Sequence, residues 1–533
     1  MILSFTIQSQ VTQEWVQRYN GTANSFDIVT KLQIDQNSNV YVYGTTNETG
    51  HATDLVIIKY SSNGSILWSY KYNGNSSSFD QLNDAVLDSN GNSYITGTVT
   101  ENDTQYVALL KISSSGLLTW NRSFRSDNNF INPAGKSLSV YDQNILKIFW
   151  SEQNLTTGIH KPRISYYNSS GQNIQEIQLS EELQNSGGAI KIINDGNGNS
   201  YAGMNVFNSV TGLSKPEIRN VSQGWYSVIE GTANTSGSFI DMGADNQNNL
   251  VVLAMVINNN TSQDFRTVKY SPGGNIMWQK EFNGSQNGDD YPFAVTADRD
   301  NNIYVTGLSR SGAVGTEDVV TIKYDPNGNI KWTRLFNGPA NGTDQGITIC
   351  VDNEKNVYVA GATDLGGIKL GFLTIKYDSL GNQVWTKTYN FSTTSPEDFV
   401  YSIAVNPARD VYVTGISFSN TSDYDFATIK YSQPIGIQNI SGEVPNSSLL
   451  SQNYPNPFNP GTSIRFSISK LKFVKLSVFN ILGQEIEILF NNQLNAGIYE
   501  VNWDGSRFPS GIYYYNLKAG ENFSETKKMV LVK

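Results

Sequence analysis

Tryptophan recurs through this chain at a nearly constant spacing. The intervals between consecutive members are 53, 52, 105, 53, 54 and 53 residues, and the series is Trp15, Trp68, Trp120, Trp225, Trp278, Trp332 and Trp385. The long interval holds two periods, because residues 171–175 occupy the place that Gly328 to Trp332 occupy in a complete copy, with the tryptophan lost. The chain therefore carries eight copies of a unit of about 53 residues, a period typical of solenoids and propellers.

Each copy has the pattern of four short strands separated by turns. In the clearest copy these are residues 293–297, 303–307, 319–324 and 330–336, with Asn327-Gly328 as the last turn. Branched and aromatic residues fill the strands, and Asn-Gly accepts the positive φ of a tight hairpin. No stretch has convincing helical periodicity. Four antiparallel strands in each of eight copies predict an all-β chain containing an eight-bladed β-propeller.

The phase of the repeat predicts how the ring closes. The chain begins with a fourth-type strand at 14–19, and the array ends on a third-type strand at 426–431. The N-terminal strand should therefore complete the last blade and remove the free sheet edges of an open array. Copies three and four are the least regular: the Tyr-Val-x-Gly signature is missing around 138–150, and the third strand is short and irregular around 217–224. This divergence fits either a ligand site or drift. Trp150 lies off the phase and is expected to contribute less to stability than Trp332.

Three recurring elements carry a resemblance to a known repeat. They are Asp298-x-x-x-Asn302-x-Tyr304-Val305-x-Gly307, Asp318-x-x-x-Ile322-Lys323-Tyr324 and Gly328-Asn329-x-x-Trp332. Through them residues 12–431 resemble the SBBP type of β-propeller repeat, which implies a secreted or surface bacterial protein and says little about activity. The spacing from Asp325 through Gly328 to Trp332 is also similar to the tryptophan-docking motif of eight-bladed quinoproteins. That likeness predicts that the seven periodic tryptophans lock adjacent blades, and it implies no cofactor.

Composition agrees with export. Charged residues make up 16% of the chain and the net charge is −10, which argues against nucleic acid as a partner because phosphate binding needs clustered Lys and Arg. One Cys excludes a disulfide framework, and no apolar run is long enough to be a transmembrane helix. Residues 1–11 are interpreted as the remnant of a signal peptide, the alternative being a disordered N-terminus.

A second domain follows the repeats. Residues 432–448 contain Pro434, Gly436, Gly442 and Pro445 and no periodicity, which predicts a linker. In residues 449–533, apolar and polar residues alternate in about seven segments separated by turn residues. This pattern predicts a small immunoglobulin-like sandwich.

The tail carries a set of short segments in a fixed order, at residues 454–460, 462–466, 478–484, 496–499, 510–515 and 527–533. Through these segments it closely resembles the type A C-terminal sorting domain of the type IX secretion system. The sorting motif comprises Tyr454, Pro455, Asn456, Pro457, Phe458, Gly483, Gly511, Tyr513 and Lys533. The resemblance implies recognition by the outer-membrane secretion machinery of a Gram-negative bacterium and a secreted or cell-surface location. The prolines predict an extended, presented address segment. The alternative is an accessory sandwich packed on the propeller.

Acidic residues form two recurring sets. Asp35, Asp88, Asp195 and Asp298 each begin an alternating Asp/Asn run, which predicts Asx turns rather than calcium loops. The second set precedes first and third strands and should lie on one propeller face: Asp27, Asp54, Asp80, Asp103, Asp264, Asp290, Asp318, Asp344, Asp398 and Asp425. This second set could bind a cation, such as a structural calcium ion, or a polyhydroxylated ligand. Alternatively, its members cap backbone N–H groups or pair with recurring lysines such as Lys59.

The inventory of catalytic residues is small. The two histidines, His51 and His160, have no metal-ligand spacing. The sequence therefore predicts a monomeric, non-enzymatic binding or adhesion module without a cofactor, directed at an extracellular glycan or protein. Two alternatives stay open: a secreted carbohydrate-active hydrolase that uses paired carboxylates, and a structural surface-layer component.

Overall fold

The computed structural model describes residues 11–50, 52–74, 78–126, 130–141, 145–154, 156, 159–179, 183–184, 188–208, 211–231, 235–258, 262–310, 312, 315–367, 369–391, 397–433, 438–441, 445–505 and 508–533. Residues 1–10, which hold most of the interpreted signal remnant, lie outside them. The regular structure of the described residues consists of β-strands alone, so the all-β prediction is confirmed. The chain divides into two compact units, one of Glu14–Asn406 with Tyr412–Lys430, the other mainly of Tyr431–Lys533.

The strands of the first unit form antiparallel sheets that follow one another along the chain after β1 (Thr12–Tyr19). Sheet 1 holds β2 (Ile28–Ile34), β3 (Val40–Thr46), β4 (Asp54–Tyr60) and β5 (Ile66–Tyr72); sheet 2 holds β6 (Gln81–Leu87), β7 (Ser93–Glu101), β8 (Thr104–Ile112) and β9 (Leu118–Phe124). Sheet 3 holds β10 (Phe130–Tyr141), β11 (Ile145–Asn154), β12 (Ile159–Asn168) and β13 (Asn173–Gln178), with β14 (Leu183–Gln184) also on β12; sheet 4 holds β15 (Gly188–Asn194), β16 (Ser200–Asn208), β17 (Leu213–Asn220) and β18 (Tyr226–Val228).

Four more sheets complete this unit in the described residues. Sheet 5 holds β19 (Gly237–Ala244), β20 (Leu250–Asn258), β21 (Ser262–Tyr270) and β22 (Ile276–Phe282); sheet 6 holds β23 (Asp290–Ala297), β24 (Ile303–Arg310), β25 (Glu317–Tyr324) and β26 (Ile330–Phe336). Sheet 7 holds β27 (Gln345–Val351), β28 (Val357–Asp364), β29 (Leu370–Tyr377) and β30 (Gln383–Tyr389); sheet 8 holds β31 (Asp398–Val405), β32 (Val411–Ser419) and β33 (Asp423–Ser432), with β1 outermost.

The hydrophobic core of this unit lies between successive sheets. Every residue of β3 and β4 is buried, because second and third strands are covered on both faces. Tyr41 and Ile57 of sheet 1, for example, share one apolar cluster with Leu82 and Ile95 of sheet 2. Central strands with two covered faces have near-continuous apolar sequences, which is why Val-Tyr-Val runs recur here.

The last sheet packs on the first. The backbone N–H of Asp27, just before β2, donates to Tyr424 O of β33 at 2.8 Å. Val29 and Val42 of sheet 1 share a buried cluster with Tyr412 and Phe426 of sheet 8. β1 is hydrogen-bonded to β33, as its place in the repeat predicts.

Sheet 4 differs from the sequence prediction. Its third strand, expected to be short and irregular, pairs with β16 without a break from Asn220 to Leu213. The fourth strand, β18, is the short one, with three residues. Pro216 lies within β17, and a proline inside a sequence segment argues against a strand there.

The second unit contains two four-stranded sheets. One has the order β34 (Gln438–Ser441), β39 (Gly497–Asp504), β36 (Gly461–Ile468) and β35 (Leu449–Leu450). The other has the order β38 (Glu485–Leu494), β37 (Lys472–Phe479), β40 (Gly511–Ala519) and β41 (Ser524–Leu531). Their inner faces enclose one core around Phe466, Trp503 and Leu517. Part of the predicted linker therefore belongs to this unit, because Gln438 pairs with Glu500 at a sheet edge.

Candidate functional site

Six periodic tryptophans dock on the following sheet. Each indole Nε1 donates to a backbone carbonyl in the turn between the third and fourth strands of that sheet: Trp15 to Ser62 O (3.2 Å), Trp68 to Ser114 O (3.1 Å), Trp120 to Ser169 O (3.1 Å), Trp225 to Pro272 O (2.9 Å), Trp278 to Pro326 O (3.0 Å) and Trp332 to Ser379 O (3.3 Å). The seventh, Trp385, is buried beside Tyr358.

A glycine in the same turn lets the indole approach. Gly328 has a φ of +82°, and a Cβ atom built on it would lie 2.7 Å from Trp278 Cδ2. Gly381 is related to Trp332 in the same way, also at 2.7 Å. The Gly-x-x-x-Trp pattern therefore combines two contacts: the glycine receives the preceding tryptophan, and the tryptophan docks on the following glycine.

The alternating Asp/Asn runs form Asx turns, which confirms that prediction. Asp35 Oδ1 accepts the backbone N–H groups of Asn37 and Asn39, both at 2.9 Å. Asp88, Asp195 and Asp298 repeat this arrangement. The recurring lysines pair with carboxylates of this turn family, as in Lys59 with Asp35 at 3.4 Å and Lys269 with Asp245 at 2.8 Å.

In the second acidic set, the members that precede first strands cap backbone N–H groups. Asp80 accepts the N–H groups of Gly74 and Thr100 at 2.7 and 2.8 Å, and Asp27 accepts those of Gly21 and Asn47, both at 2.7 Å. Burial raises the pKa of both Asp27 and Asp80 to about 6. Burial likewise raises the pKa of Asp290, Asp344 and Asp398.

The structure brings most of this set together in pairs. A carboxylate that precedes a third strand adds to the raised pKa of its neighbour: Asp54 for Asp80, Asp264 for Asp290, Asp318 for Asp344 and Asp425 for Asp27. Asp425 is also ion-paired with Arg18 at 2.8 Å. Asp103 stands apart, exposed in the tight turn between β7 and β8. Within the described ranges, no group of three or more His, Cys, Asp or Glu side chains could hold a metal ion. The structural calcium ion stays a prediction.

The first segment of the sorting motif is exposed at residues 454–457 and anchored by the burial of Phe458. Phe458 is buried, its ring lies 5.4 Å from that of Trp503, and its N–H donates to Val530 O of β41 at 3.0 Å. The Asn456 side chain also accepts the Val530 N–H, at 2.9 Å. Pro455 O accepts the Thr462 hydroxyl at 2.8 Å, and Pro457 lies between these anchored residues. The prediction of a presented segment is thus wrong at Phe458, which gains more by burial than by exposure. Tyr454, with 82% of its surface exposed, and the three residues after it are exposed, as that prediction expects.

The other motif residues have structural places in the same unit. Gly483, with a φ of +76°, forms the turn between β37 and β38, and Gly511 starts β40. Tyr513 packs against Trp503 and donates its hydroxyl to Pro509 O at 2.7 Å. The N–H of Lys533 donates to Ser510 Oγ at 3.0 Å.

A cavity of about 450 Å³ lies between sheets 2 and 3. β9 and the residues after it form one wall, and β11, β12 and the start of β13 form the rest. Phe124, Trp150 and Tyr167 supply its aromatic surface. Polar groups of Arg122, Ser123, Arg125, Ser126, Gln172, Asn173 and Glu176 surround them, with Gly171.

Trp150 stands at a glycine position of the repeat. Leu138 pairs with Ile148 in sheet 3 as Ala85 pairs with Ile95 in sheet 2, so Trp150 corresponds to Gly97. The side chain is 1% exposed, and Nε1 donates to Ser165 Oγ at 2.9 Å. Trp150 is therefore a core residue, and its lack of phase with the other tryptophans was a poor guide to its burial.

A polar network anchors the aromatic residues. Arg163 lies over the Trp150 ring, 5.5 Å from its centroid, and pairs with Glu176 at 2.6 Å and with Glu152 at 3.7 Å. Ser126 donates to Glu152, and Ser165 donates to Glu176 at 3.0 Å. Neither acidic set contains Glu152 or Glu176, so the search for recurring carboxylates missed this site; the signal was the irregular third copy. His160 lies on β12, and His51 lies outside the described residues.

Two family descriptions match the chain. Residues 452–533 match the secretion system C-terminal sorting domain, and residues 278–312 match the beta-propeller repeat SBBP. The protein is thus an exported protein that contains a β-propeller. More particularly, its repeats are of the SBBP type, and its C-terminal domain is a type IX sorting domain that acts with the secretion machinery. The protein is secreted or located at the cell surface, associated with the outer membrane. No helix in the described part of the chain is long and apolar enough to cross a membrane.

No curated protein matches the chain. Among solved structures, a protein of unknown function from Bacteroides caccae is similar at 10% identity, with a TM-score of 0.32, covering 63% of this chain and 90% of its own. The WD40 domain of SCAP from fission yeast has 11% identity and a TM-score of 0.41, with coverages of 79% and 97%. A puromycin hydrolase has 10% identity and a TM-score of 0.41, with coverages of 74% and 59%. These similarities are too distant to transfer a function.

Proposed function

We propose that the chain is a monomeric, non-enzymatic, extracellular binding module built on an eight-bladed propeller. Sheets 1 to 8 are its blades, and β1 closes the last of them. The C-terminal domain is an immunoglobulin-like sandwich that delivers the propeller. Its two facing sheets support that assignment, as do Tyr499 and Tyr513, whose hydroxyls donate to carbonyls four residues upstream, in the manner of a tyrosine corner.

The observation that carries the binding role is the cavity between blades 2 and 3. Its volume of about 450 Å³ lies in the range of roughly 300–1,000 Å³ that is usual for small-ligand sites. Such sites combine an apolar surface with a few convergent polar groups, and Phe124, Tyr167 and Glu176 fit that description. A glycan is the extracellular ligand that this mixture favours, because a sugar ring has an apolar face and polar edges.

One observation bears on a hydrolase. Two carboxylates, Glu152 and Glu176, lie near the cavity, as a glycosidase would need. Arg163 pairs with both, and serine hydroxyls donate to both. This arrangement holds them as charge partners of Arg163 and favours binding over proton transfer.

The test is a glycan array probed with the full chain and two variants. Asn173→Trp should block the cavity, since Asn173 lines it at the start of β13. Leu118→Trp is the matched control, because Leu118 holds the corresponding position in blade 2. Leu118 pairs with Ile112 at the start of β9, and Asn173 pairs with Tyr167 at the start of β13. We expect the full chain and the control to bind a subset of glycans and Asn173→Trp to lose it. Binding to no glycan, or equal binding by both variants, would overturn the proposal; release of free sugar would favour a hydrolase.

A further inference from the structure

We infer that the cavity between blades 2 and 3 recognises a saccharide through two unsubstituted hydroxyl groups on adjacent ring carbons, both donating to the carboxylate of Glu176. This inference rests on the proposed binding function and adds the class of ligand and the residue that selects it. It follows from the direction of the hydrogen bonds around the cavity, which leaves carboxylate and hydroxyl oxygens of the lining as acceptors.

The orientation of the Glu176 carboxylate is fixed by a directed chain of hydrogen bonds. Trp150 Nε1 donates to Ser165 Oγ at 2.9 Å, because an indole N–H can only donate. The single hydroxyl proton of Ser165 is therefore used toward Glu176 Oε2, at 3.0 Å. Arg163 Nη1 lies 2.6 Å from Oε1 of the same carboxylate. Both carboxylate oxygens are thus anchored by residues of the neighbouring strand β12.

The anchored carboxylate can still accept hydrogen bonds from a ligand. Its two oxygens offer about four acceptor positions, and Arg163 and Ser165 occupy two of them. Glu176 lines the cavity, and 35% of its side chain is exposed, so the remaining positions are within reach of a ligand. Because the two oxygens lie side by side, two hydroxyl groups on adjacent carbons of a sugar ring can donate to them together.

Two serines of the lining also present acceptors. Ser123 donates its hydroxyl proton to Glu101 Oε1 at 2.6 Å, and Ser126 donates its own to Glu152. A serine has one hydroxyl proton and two lone pairs, so each of these oxygens can only accept from a ligand. Hydroxyl groups, which can donate, are the ligand groups that complement these oxygens.

Phe124 supplies apolar surface in the same lining. Its side chain is half-buried and packs against Trp150 and Tyr167 at centroid distances of 5.3 and 5.9 Å. The C–H face of a sugar ring can rest on the exposed part of the phenyl ring while the hydroxyl groups at its edge donate to Glu176. Burial of apolar surface and charge-assisted hydrogen bonds then both favour binding of a sugar ring.

The repeat provides a matched control for Glu176. Glu281 in blade 5 is paired with Arg266, as Glu176 is with Arg163, and each pair joins the third and fourth strands of its sheet. The exposed fractions of the two glutamate side chains are close, 38% for Glu281 and 35% for Glu176. Glu176→Gln and Glu281→Gln should therefore lower the melting temperature by similar amounts, while of the two only Glu176 lines the cavity.

The experiment replaces one ligand hydroxyl at a time. The probes are the methyl glycosides of glucose, galactose and mannose and any further glycan bound in the array, each with single ring hydroxyls replaced by hydrogen or by fluorine. Fluorine keeps the position polar but cannot donate, so it isolates the donor role. For each probe that binds the full chain, we expect two adjacent positions at which either replacement weakens binding roughly tenfold or more.

The variants show whether Glu176 is the acceptor. Glu176→Gln should weaken binding of the parent glycan by a similar factor and reduce the penalty for fluorine, whereas Glu281→Gln should leave both almost unchanged. Fluorinated forms that bind like their parents, sensitive positions that are not adjacent, or equal losses in the two variants would overturn the inference while leaving the binding function intact. Binding of no probe at all would overturn both.

Discussion

The indole Nε1 of Trp15 donates to Ser62 O at 3.2 Å, across the junction between the last blade and the first. Trp15 lies on β1, which is hydrogen-bonded to β33 at the end of the repeat array. Because Ser62 belongs to sheet 1, the N-terminal strand contacts both the last and the first sheet. The same carbonyl also accepts a hydrogen bond from Lys430 Nζ at 3.3 Å. The junction that closes the ring therefore uses the docking contact found between the blades inside it.

Removal of residues 1–20 should open this junction. The deletion strips β33 of its partner and exposes a sheet edge, which favours association between chains. We expect a lower melting temperature and higher oligomers in size-exclusion chromatography with light scattering. A deletion variant that is monomeric and has the same melting temperature as the full chain would show that β1 is dispensable for closure.

Trp332→Ala and Trp150→Ala should cost comparable free energies of unfolding, roughly 3–5 kcal/mol each, as large-to-small changes in a core. Both indoles are buried and hydrogen-bonded. The sequence alone favours a smaller cost for Trp150, so urea unfolding of the two variants separates the interpretations. If Trp150→Ala lowers the free energy of unfolding by less than about 1 kcal/mol, the interpretation based on sequence phase is the correct one.

Gly328→Ala tests the docking geometry against backbone strain alone. Gly328 and Gly315 have nearly equal φ values, +82° and +88°, but only a Cβ on Gly328 meets another group, Trp278 at 2.7 Å. We expect Gly328→Ala to be the more destabilising by roughly 1–3 kcal/mol in urea unfolding. Equal costs would mean that the turn tolerates a displaced indole.

Stability should rise as the pH falls from 7 to 5. The folded pKa of Asp27 and Asp80 is about 6, above the ordinary value of 3.8, so the folded chain binds protons in this range more readily than the unfolded chain. Their favourable contribution is complete below pH 3.8 and is lost as the pH rises through 6. The double variant Asp27→Asn/Asp80→Asn should show a smaller gain in melting temperature between pH 7 and 5. An unchanged gain would assign the effect to other groups.

Periodicity made much of the propeller predictable. A tryptophan at intervals of about 53 residues reports a contact that recurs between successive sheets, and the Asp/Asn runs report Asx turns. Both depend on neighbours at a fixed sequence distance. The pairing of β1 with β33 followed from phase alone. Such features repeat, and each copy supports the interpretation of the others.

Features that occur once were not predictable in this way. The cavity depends on Trp150, which stands where most other copies have glycine, and on Arg163, which pairs with two carboxylates. Neither feature recurs in the sequence at the repeat period, so no other copy points to it. The sequence places Gln438–Ser441 in a linker, because four residues are too few to show a strand periodicity. In the structure they pair with β39. Phe458 looked exposed among prolines, yet Trp503 provides a surface to bury it.

The cellular location of each unit after the two are separated tests most directly whether the C-terminal unit delivers the propeller. Because residues 438–441 belong to the second unit, the cut is placed after residue 433, and the full chain, a chain lacking 434–533 and an unrelated folded protein fused to 434–533 are each given the same N-terminal export signal. A fractionation blot in a host with a type IX system should find the full chain and the fusion outside the cell and the shortened propeller folded in the periplasm. A shortened propeller in the medium at normal levels, or a fusion that stays in the periplasm, would contradict the claim that the C-terminal unit delivers the propeller to the outside.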